Sequence, residues 1–344
     1  MVELFLGVAL VGIVTYLANL NPAPKRETRN PVQALLGTLA SVNVLLALLV
    51  LLATITPPDE SSEFATDIAL AVGLSYSLFA LACGIVSFAI IYRHDVRDFI
   101  KAHIVRHAPQ FPGYNPKSLV HTTAIVIALV YVNYSFGGFI LSGGIAGLSD
   151  SLQSTSAGEQ LRFQALSFFI YVLIALLGVG LFIRRDISQV IDRLGLRDVS
   201  WRSLLIGAGV GFFIFWLQLG MSMVWALVTD PEVLELQSAA SETIFAIFSG
   251  SIWAALLLIV TTGIGEELLF RGALQPIFGN LLTSILFALL HTQYGLTPAT
   301  LIIFLVSLGF GWVRVRYNTG AAMTAHMVYN AVPFVLYALA EVAV

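Results

Sequence analysis

The sequence predicts an all-α fold, a polytopic bundle of about ten transmembrane helices with both termini outside. Three observations predict it. Hydrophobic residues make up 58% of the 344 and charged residues only 11%, with a mean hydropathy of +0.89, outside the soluble range. Apolar runs of about 20 residues recur along the chain, the length a helix needs to cross a bilayer core. The polar breaks between these runs alternate in charge, as they do when successive loops fall on opposite sides of a membrane.

The first run, 2–20, has Glu3 near its start and Lys25, Arg26 and Arg29 after it. A secretory signal carries its cations in front, so this run is expected to be a retained span with its amino end outside. Runs 33–55, 67–92, 118–141, 161–183 and 203–228 follow, each bounded by polar breaks. The next, 244–278, is too long for one simple crossing and is expected to tilt, to kink at Gly263 and Gly265, or to begin with an interfacial turn. Runs 281–296 and 298–314 are short and split by Thr297 and Pro298, and 320–340 completes the set.

In a ten-span arrangement one side collects Lys25, Arg26, Arg29, then Arg93, Arg97, Lys101, Arg106, Lys117, then Arg184, Arg185, Arg193, Arg197, Arg202, and finally Arg314 and Arg316. The other side holds one cation, Arg162, against Asp59, Glu60, Glu63, Asp150, Glu159, Asp230, Glu232 and Glu235. The basic side is therefore expected to be cytoplasmic. Two basic connectors have apolar residues at helical spacing, Val96, Phe99, Ile100 and Ile104 in one and Ile187, Val190, Ile191 and Leu194 in the other, and read as amphipathic helices lying on lipid headgroups. Asn43 and Asn133, mid-span and away from ionisable groups, read as interhelical hydrogen-bonders. The net charge of −3 and the lack of long basic runs give no reason to expect nucleic acid as a partner. A single cysteine, Cys83, excludes an intrachain disulfide.

Glu266, Glu267 and Arg271 stand inside an otherwise apolar run. Each such group costs roughly 2.5–3.5 kcal/mol at a bilayer centre, on the order of 8–10 kcal/mol together, so something must offset that cost or use it. Glu267 precedes Arg271 by four positions, the order that favours an internal ion pair. Glu266 lies about 100° around the helix from Glu267 and cannot share its direction, which leaves Glu266 as the free carboxylate. Gly279 and Asn280 mark a turn, and in the resulting hairpin Glu266 and His291 lie at similar depth, roughly 17–20 Å from the turn at ~1.5 Å per residue. His326 and Asn330 form an i,i+4 pair on one face of the last helix. Four polar groups from three helices are thus expected to meet in one cavity. A carboxylate beside an imidazole can take a proton from water and return it to a leaving amine, and an imidazole N–H with an Asn amide can stabilise an oxyanion.

These residues resemble the CPBP family of intramembrane proteases, which includes the CaaX prenyl endopeptidase Rce1 and bacterial relatives linked to bacteriocin processing and immunity. The resemblance rests on Glu266-Glu267-x-x-x-Arg271, on Phe287-x-x-x-His291, and on His326-x-x-x-Asn330, in that order on hydrophobic helices. It covers the last 140 or so residues, and implies a five-span region of unknown role at 1–192 followed by a protease core at 193–344. It implies that Glu266 activates water with help from His291, that His326 and Asn330 hold the oxyanion, that Glu267 and Arg271 form the structural pair, and that Phe287 packs beneath His291. The expected substrate is a hydrophobic or prenylated peptide or protein presented in lipid.

No metal is favoured; if zinc is used, Glu266, His291 and His326 would take it. There is no G-x-S-G for a serine nucleophile and no aspartate inside a span. The competing expectations are an ion- or proton-coupled transporter, whose ionisable groups would be spread along the membrane normal, and a non-catalytic relative that binds a peptide without cutting it. The protein is expected to be integral and multi-pass, in the cell membrane if the host is prokaryotic.

Overall fold

In lipid every backbone N–H and C=O must find its partner within the chain, and long uncharged runs do so as helices. The computed structural model describes residues 2–20, 31–56, 69–295 and 297–342, and all regular structure among them is helical apart from one isolated bridge, Leu181 to Arg185. In chain order the helices are α1 Val2–Leu20, α2 Pro31–Ile55, α3 Leu70–Tyr92, α4 His94–Phe99, α5 Leu119–Val132, α6 Gly138–Leu141, α7 Ile145–Ser154, α8 Ala157–Gly178, α9 Ile187–Arg193, α10 Trp201–Val228, α11 Pro231–Ser249, α12 Ile252–Thr261, α13 Gln275–Leu290, α14 Pro298–Arg316 and α15 Thr319–Val342. Four π-helical stretches continue them, Ile100–Ile104, Asn133–Gly137, Thr262–Glu266 and Leu268–Leu274. The chain is an integral, multi-pass helical membrane protein.

Eight stretches among the described residues are long and apolar enough to cross a membrane, and Gly7–Leu20 is a shorter apolar helix. The difference from ten lies in two places: the first run enters only as that shorter helix, and two later runs merge. The runs expected at 244–278 and 281–296 form one stretch, Ile252–Leu290, of 39 residues. It is bent at Gly279, whose φ of 79° and ψ of 168° break the helix. A side chain there would collide with the Arg106 carbonyl, so both the conformation and the close approach call for glycine. The start of the expected seventh span is a separate helix: α11 ends at Ser249, and Ser251 caps α12 by accepting from Ala254 N. The loop cations Lys25, Arg26 and Arg29, the acids Asp59, Glu60 and Glu63, and the side chain of Glu3 lie outside the described residues.

Small residues set the closest helix contact. On α10, a Cβ at Gly207 or Gly211 would run into the carbonyls of Ala321 and Ala325 on α15, so the two backbones touch through a glycine four-residue repeat facing two alanines. Asn133 donates to Asn43 at 3.0 Å in a buried bond that ties α2 to the end of α5, the interhelical role expected of the pair. Val14, Leu36, Ile90 and Val126 pack α1, α2, α3 and α5 into one core. A second core joins Ala175 of α8 and Val190 and Leu194 around α9 to Leu268, Ala273 and Met323. The fifth span, on the amino side of the expected 192/193 boundary, is thus packed directly against the carboxy-terminal helices.

The connectors differ from the expected lipid-facing stripes. Ile187 and Ile191 are exposed, but Val190 and Leu194 are 3% and 2% exposed and face the core. Arg97 is buried as well, donating to the carbonyls of Ile91 and Pro116 at 3.0 and 2.8 Å and so closing the end of α3. Arg314, expected in a loop, is a buried residue of α14 whose Nε donates to Arg271 O at 3.3 Å.

Candidate active site

The residues of the three motifs sit on four elements: the π-helical stretches after α12, the end of α13, and α15, with α14 behind them. Glycines and a threonine open this path. Gly263 lies against Met327 of α15 and Gly265 against Phe168 of α8, so the chain between them passes closely between two helices. π-Helical turns cost hydrogen-bond quality and occur frequently at functional positions. Here they are held from outside: Arg193 donates to Gly272 O and Ala273 O at 2.9 and 3.0 Å, Arg314 to Arg271 O, and Gln275 to Gly311 O at 2.8 Å.

Glu267 and Arg271 are both 0% exposed, and Arg271 Nε lies 3.1 Å from Glu267 Oε2. The N–H does not point squarely at that oxygen, so the contact is Coulombic rather than a well-aligned hydrogen bond. Arg271 Nη2 donates to Ser307 Oγ at 2.8 Å and to Ser307 O at 3.1 Å, and its guanidinium lies 5.3 Å from the Phe287 ring centre. The other Glu267 oxygen, Oε1, is 3.0 Å from His326 Nδ1. His326 is sandwiched as well as bonded, stacking on Phe310 at 4.8 Å with Phe287 edge-on at 6.1 Å.

His291 ends α13. Its Nδ1 is 2.7 Å from Phe287 O, and its ring stacks on Phe287 at 4.3 Å, so Phe287 lies between the two histidines. A carbonyl can only accept, so Nδ1 of His291 bears a proton and Nε2 is the nitrogen left for other partners. Asn330 Nδ2 donates to Thr262 Oγ1 at 2.8 Å. Glu266 is half-buried; its Oε2 is enclosed and, among the described residues, no group bonds to it. It lies within electrostatic range of Arg271 and of Tyr131 and Tyr171, whose hydroxyls are 3.3 Å apart.

The structure thus brings Glu267, Arg271, His326, Phe287 and His291 into one connected group. Among the described residues no hydrogen bond joins Glu266 to His291 or to His326. Sequence reasoning did not single out Thr262, four residues before Glu266 in the same π-helical stretch, nor Ser307 and the two tyrosines, which lie on other helices; all have ordinary membrane-helix chemistry and no spacing signal. Arg193 and Arg314 were counted as loop cations, and their grip on the 271–273 carbonyls follows from the π-helical backbone that only the fold reveals.

A protein zinc site needs three or four N, O or S donors around one point. No group of three His, Cys, Asp or Glu among the described residues meets that condition. The candidate ligands Glu266, His291 and His326 are not gathered at one point among the described residues. The residues present do not fit a zinc centre.

The chain is 28% identical over 168 residues to the uncharacterized protein YpbD of Bacillus subtilis strain 168, a match spanning 47% of this chain and 82% of that protein. No solved structure matches it. Residues 248–332 match the sequence model of a family described as type II CAAX prenyl endopeptidase Rce1-like. That segment holds every residue of the group described above except the supporting arginine of α9, Phe168 and the two tyrosines, and over it the chain is similar to the Rce1-like family.

Proposed function

We propose that this protein is an intramembrane endopeptidase that hydrolyses a peptide bond in a hydrophobic or lipid-anchored substrate, with Glu266 as the base that activates water. The observation that carries this reading is the unbonded, enclosed Oε2 of Glu266, in a segment where Glu267 is committed to Arg271 and His326. An acceptor without a partner inside a membrane helix is costly unless it is used. The family described as prenyl endopeptidase gives the same reaction class.

In this reading Glu266 takes a proton from water, the oxygen attacks the peptide carbonyl, and the proton passes to the leaving amine as the C–N bond breaks. His291 orients the water through Nε2, which its Nδ1 bond to Phe287 O leaves free to accept. Asn330 has a second N–H beside the one on Thr262 and supplies it to the developing oxyanion. His326 already gives its Nδ1 proton to Glu267, so it can donate to the oxyanion only through Nε2 and only as the imidazolium. Glu267 and Arg271 hold that imidazole in place. The chemistry proceeds without a resident metal.

The test uses purified protein and a set of membrane-inserted hydrophobic peptides, with products read by mass spectrometry. Wild type is expected to generate new termini, and Glu266→Gln and His291→Ala to lose at least about 100-fold in rate while remaining folded. Undiminished cleavage by folded Glu266→Gln would remove Glu266 from the chemistry.

A further inference from the structure

Away from the motif residues, an open cleft of about 580 Å³ at the basic end of the bundle is lined by Arg184, Arg185, Gln189, Asp192, Arg193 and Arg197. Four guanidinium groups and one carboxylate share it. Like charges gathered this way repel one another, and the cost shows in Arg193. Burial first, and then Arg185, Arg314 and Arg184, lower its pKa to about 10. The protein does little to neutralise the group: Asp192 Oδ1 is 3.7 Å from Arg197 Nε, a long and exposed pairing.

The arginines are nevertheless positioned. Arg193 bonds Gly272 O and Ala273 O, Arg184 Nε donates to Asn19 Oδ1 at 2.8 Å, Arg185 Nη1 to Val179 O at 2.5 Å, and Arg197 Nη2 to Ser188 Oγ at 2.7 Å. Each guanidinium has five N–H donors, so these bonds fix the groups while using a minority of their donors. Planar forks with spare donors match phosphate oxygens two at a time. The same segment exposes apolar side chains to its surroundings, Phe182 at 79%, Ile187 at 58% and Ile191 at 39%, the pattern of a stretch lying in a membrane interface.

We propose that this cleft is a binding site for a phosphate group, mono- or diester, held by Arg184, Arg185, Arg193 and Arg197, with the apolar rim favouring the headgroup of an anionic phospholipid. The proposal is independent of the peptidase reading. It adds one physical link to it: the guanidinium of Arg193 belongs at once to the cleft and to the π-helical segment that follows Arg271.

The experiment is thermal unfolding of the full chain in an uncharged detergent at fixed ionic strength, with dioctanoyl phosphatidylglycerol, dioctanoyl phosphatidylcholine or inorganic phosphate added. Phosphatidylglycerol is expected to raise the midpoint by at least about 2 °C and phosphatidylcholine to leave it unchanged. Two variants remove the response by different routes. Arg197→Gln deletes an exposed cation. Gln189→Glu keeps an acceptor for the Asp186 N–H that Gln189 caps, at 3.1 Å, while adding a negative charge to the lining. Both are expected to unfold near the wild-type midpoint without additive and to lose at least half of the shift, whereas Arg93→Gln on the other connector keeps it. A shift with phosphatidylglycerol alone identifies the lipid as the source; an equal shift with inorganic phosphate identifies a soluble phosphate. No shift with either, an equal shift with phosphatidylcholine, or a full shift in both cleft variants would overturn the proposal.

Discussion

Glu266 and Glu267 are adjacent in the chain and chemically opposite in the fold. Glu267 is fully buried between Arg271 and His326, while Glu266 keeps an enclosed oxygen that nothing among the described residues bonds. Breaking a buried pair leaves an uncompensated charge, so Glu267→Gln or Arg271→Met alone should destabilise the protein by about 3–5 kcal/mol, and the double variant by less than either. Unfolding midpoints in mild detergent measure this, and equal losses in single and double variants would count against pairing. Because His291, His326 and Glu266 do not converge on one point, exhaustive chelation should leave peptidase activity intact; activity lost and then restored by zinc would reverse that reading. The Glu267 and Arg271 spacing was legible because both residues lie on one turn of one helix, and Asn43 with Asn133 because two isolated polar groups in apolar spans need each other. The His326 contact with Glu267 was not, since the partner is 59 residues away and the choice between adjacent carboxylates depends on π-helical turns.

At the scale of elements, the backbone contact of α10 with α15 decides where His326 and Asn330 stand. Gly211 faces the Ala325 carbonyl, one residue before His326. Gly211→Val should therefore cost at least about 1–3 kcal/mol through overpacking and lower activity with it, whereas Gly209→Val, where nothing lies within 4 Å of the added Cβ, should be neutral. Comparing the two variants for midpoint and activity separates this contact from general helix effects, and loss in both would contradict it. The sequence marks Gly279 as a turn because few residues other than glycine accept positive φ there. It allows an interfacial turn at the start of the 244–278 run without placing the break at Gly250, because apolar residues stand on both sides of it. The basic connectors were legible as helices but not as half-buried ones: periodicity places Ile187, Val190, Ile191 and Leu194 on a stripe without saying that α8, the π-helical stretch Leu268–Leu274 and α15 cover part of it.

At the scale of the molecule, the Rce1-like segment is one part of a bundle whose amino-terminal helices reach the same region. α8 packs against the chain around Gly265, and Tyr131 and Tyr171 bring α5 and α8 within electrostatic range of Glu266. α5 and α8 therefore stand beside the candidate site, a placement that hydropathy cannot show because it registers length and greasiness but not neighbours. The most direct test of the central claim is a comparison of protein termini, by mass spectrometry, in membranes of native-host cells expressing wild type or Glu266→Gln at equal abundance. Peptidase chemistry at Glu266 predicts termini that appear only with wild type, and those termini name the substrate. Identical termini in both would contradict it and assign the polar group to peptide binding or transport.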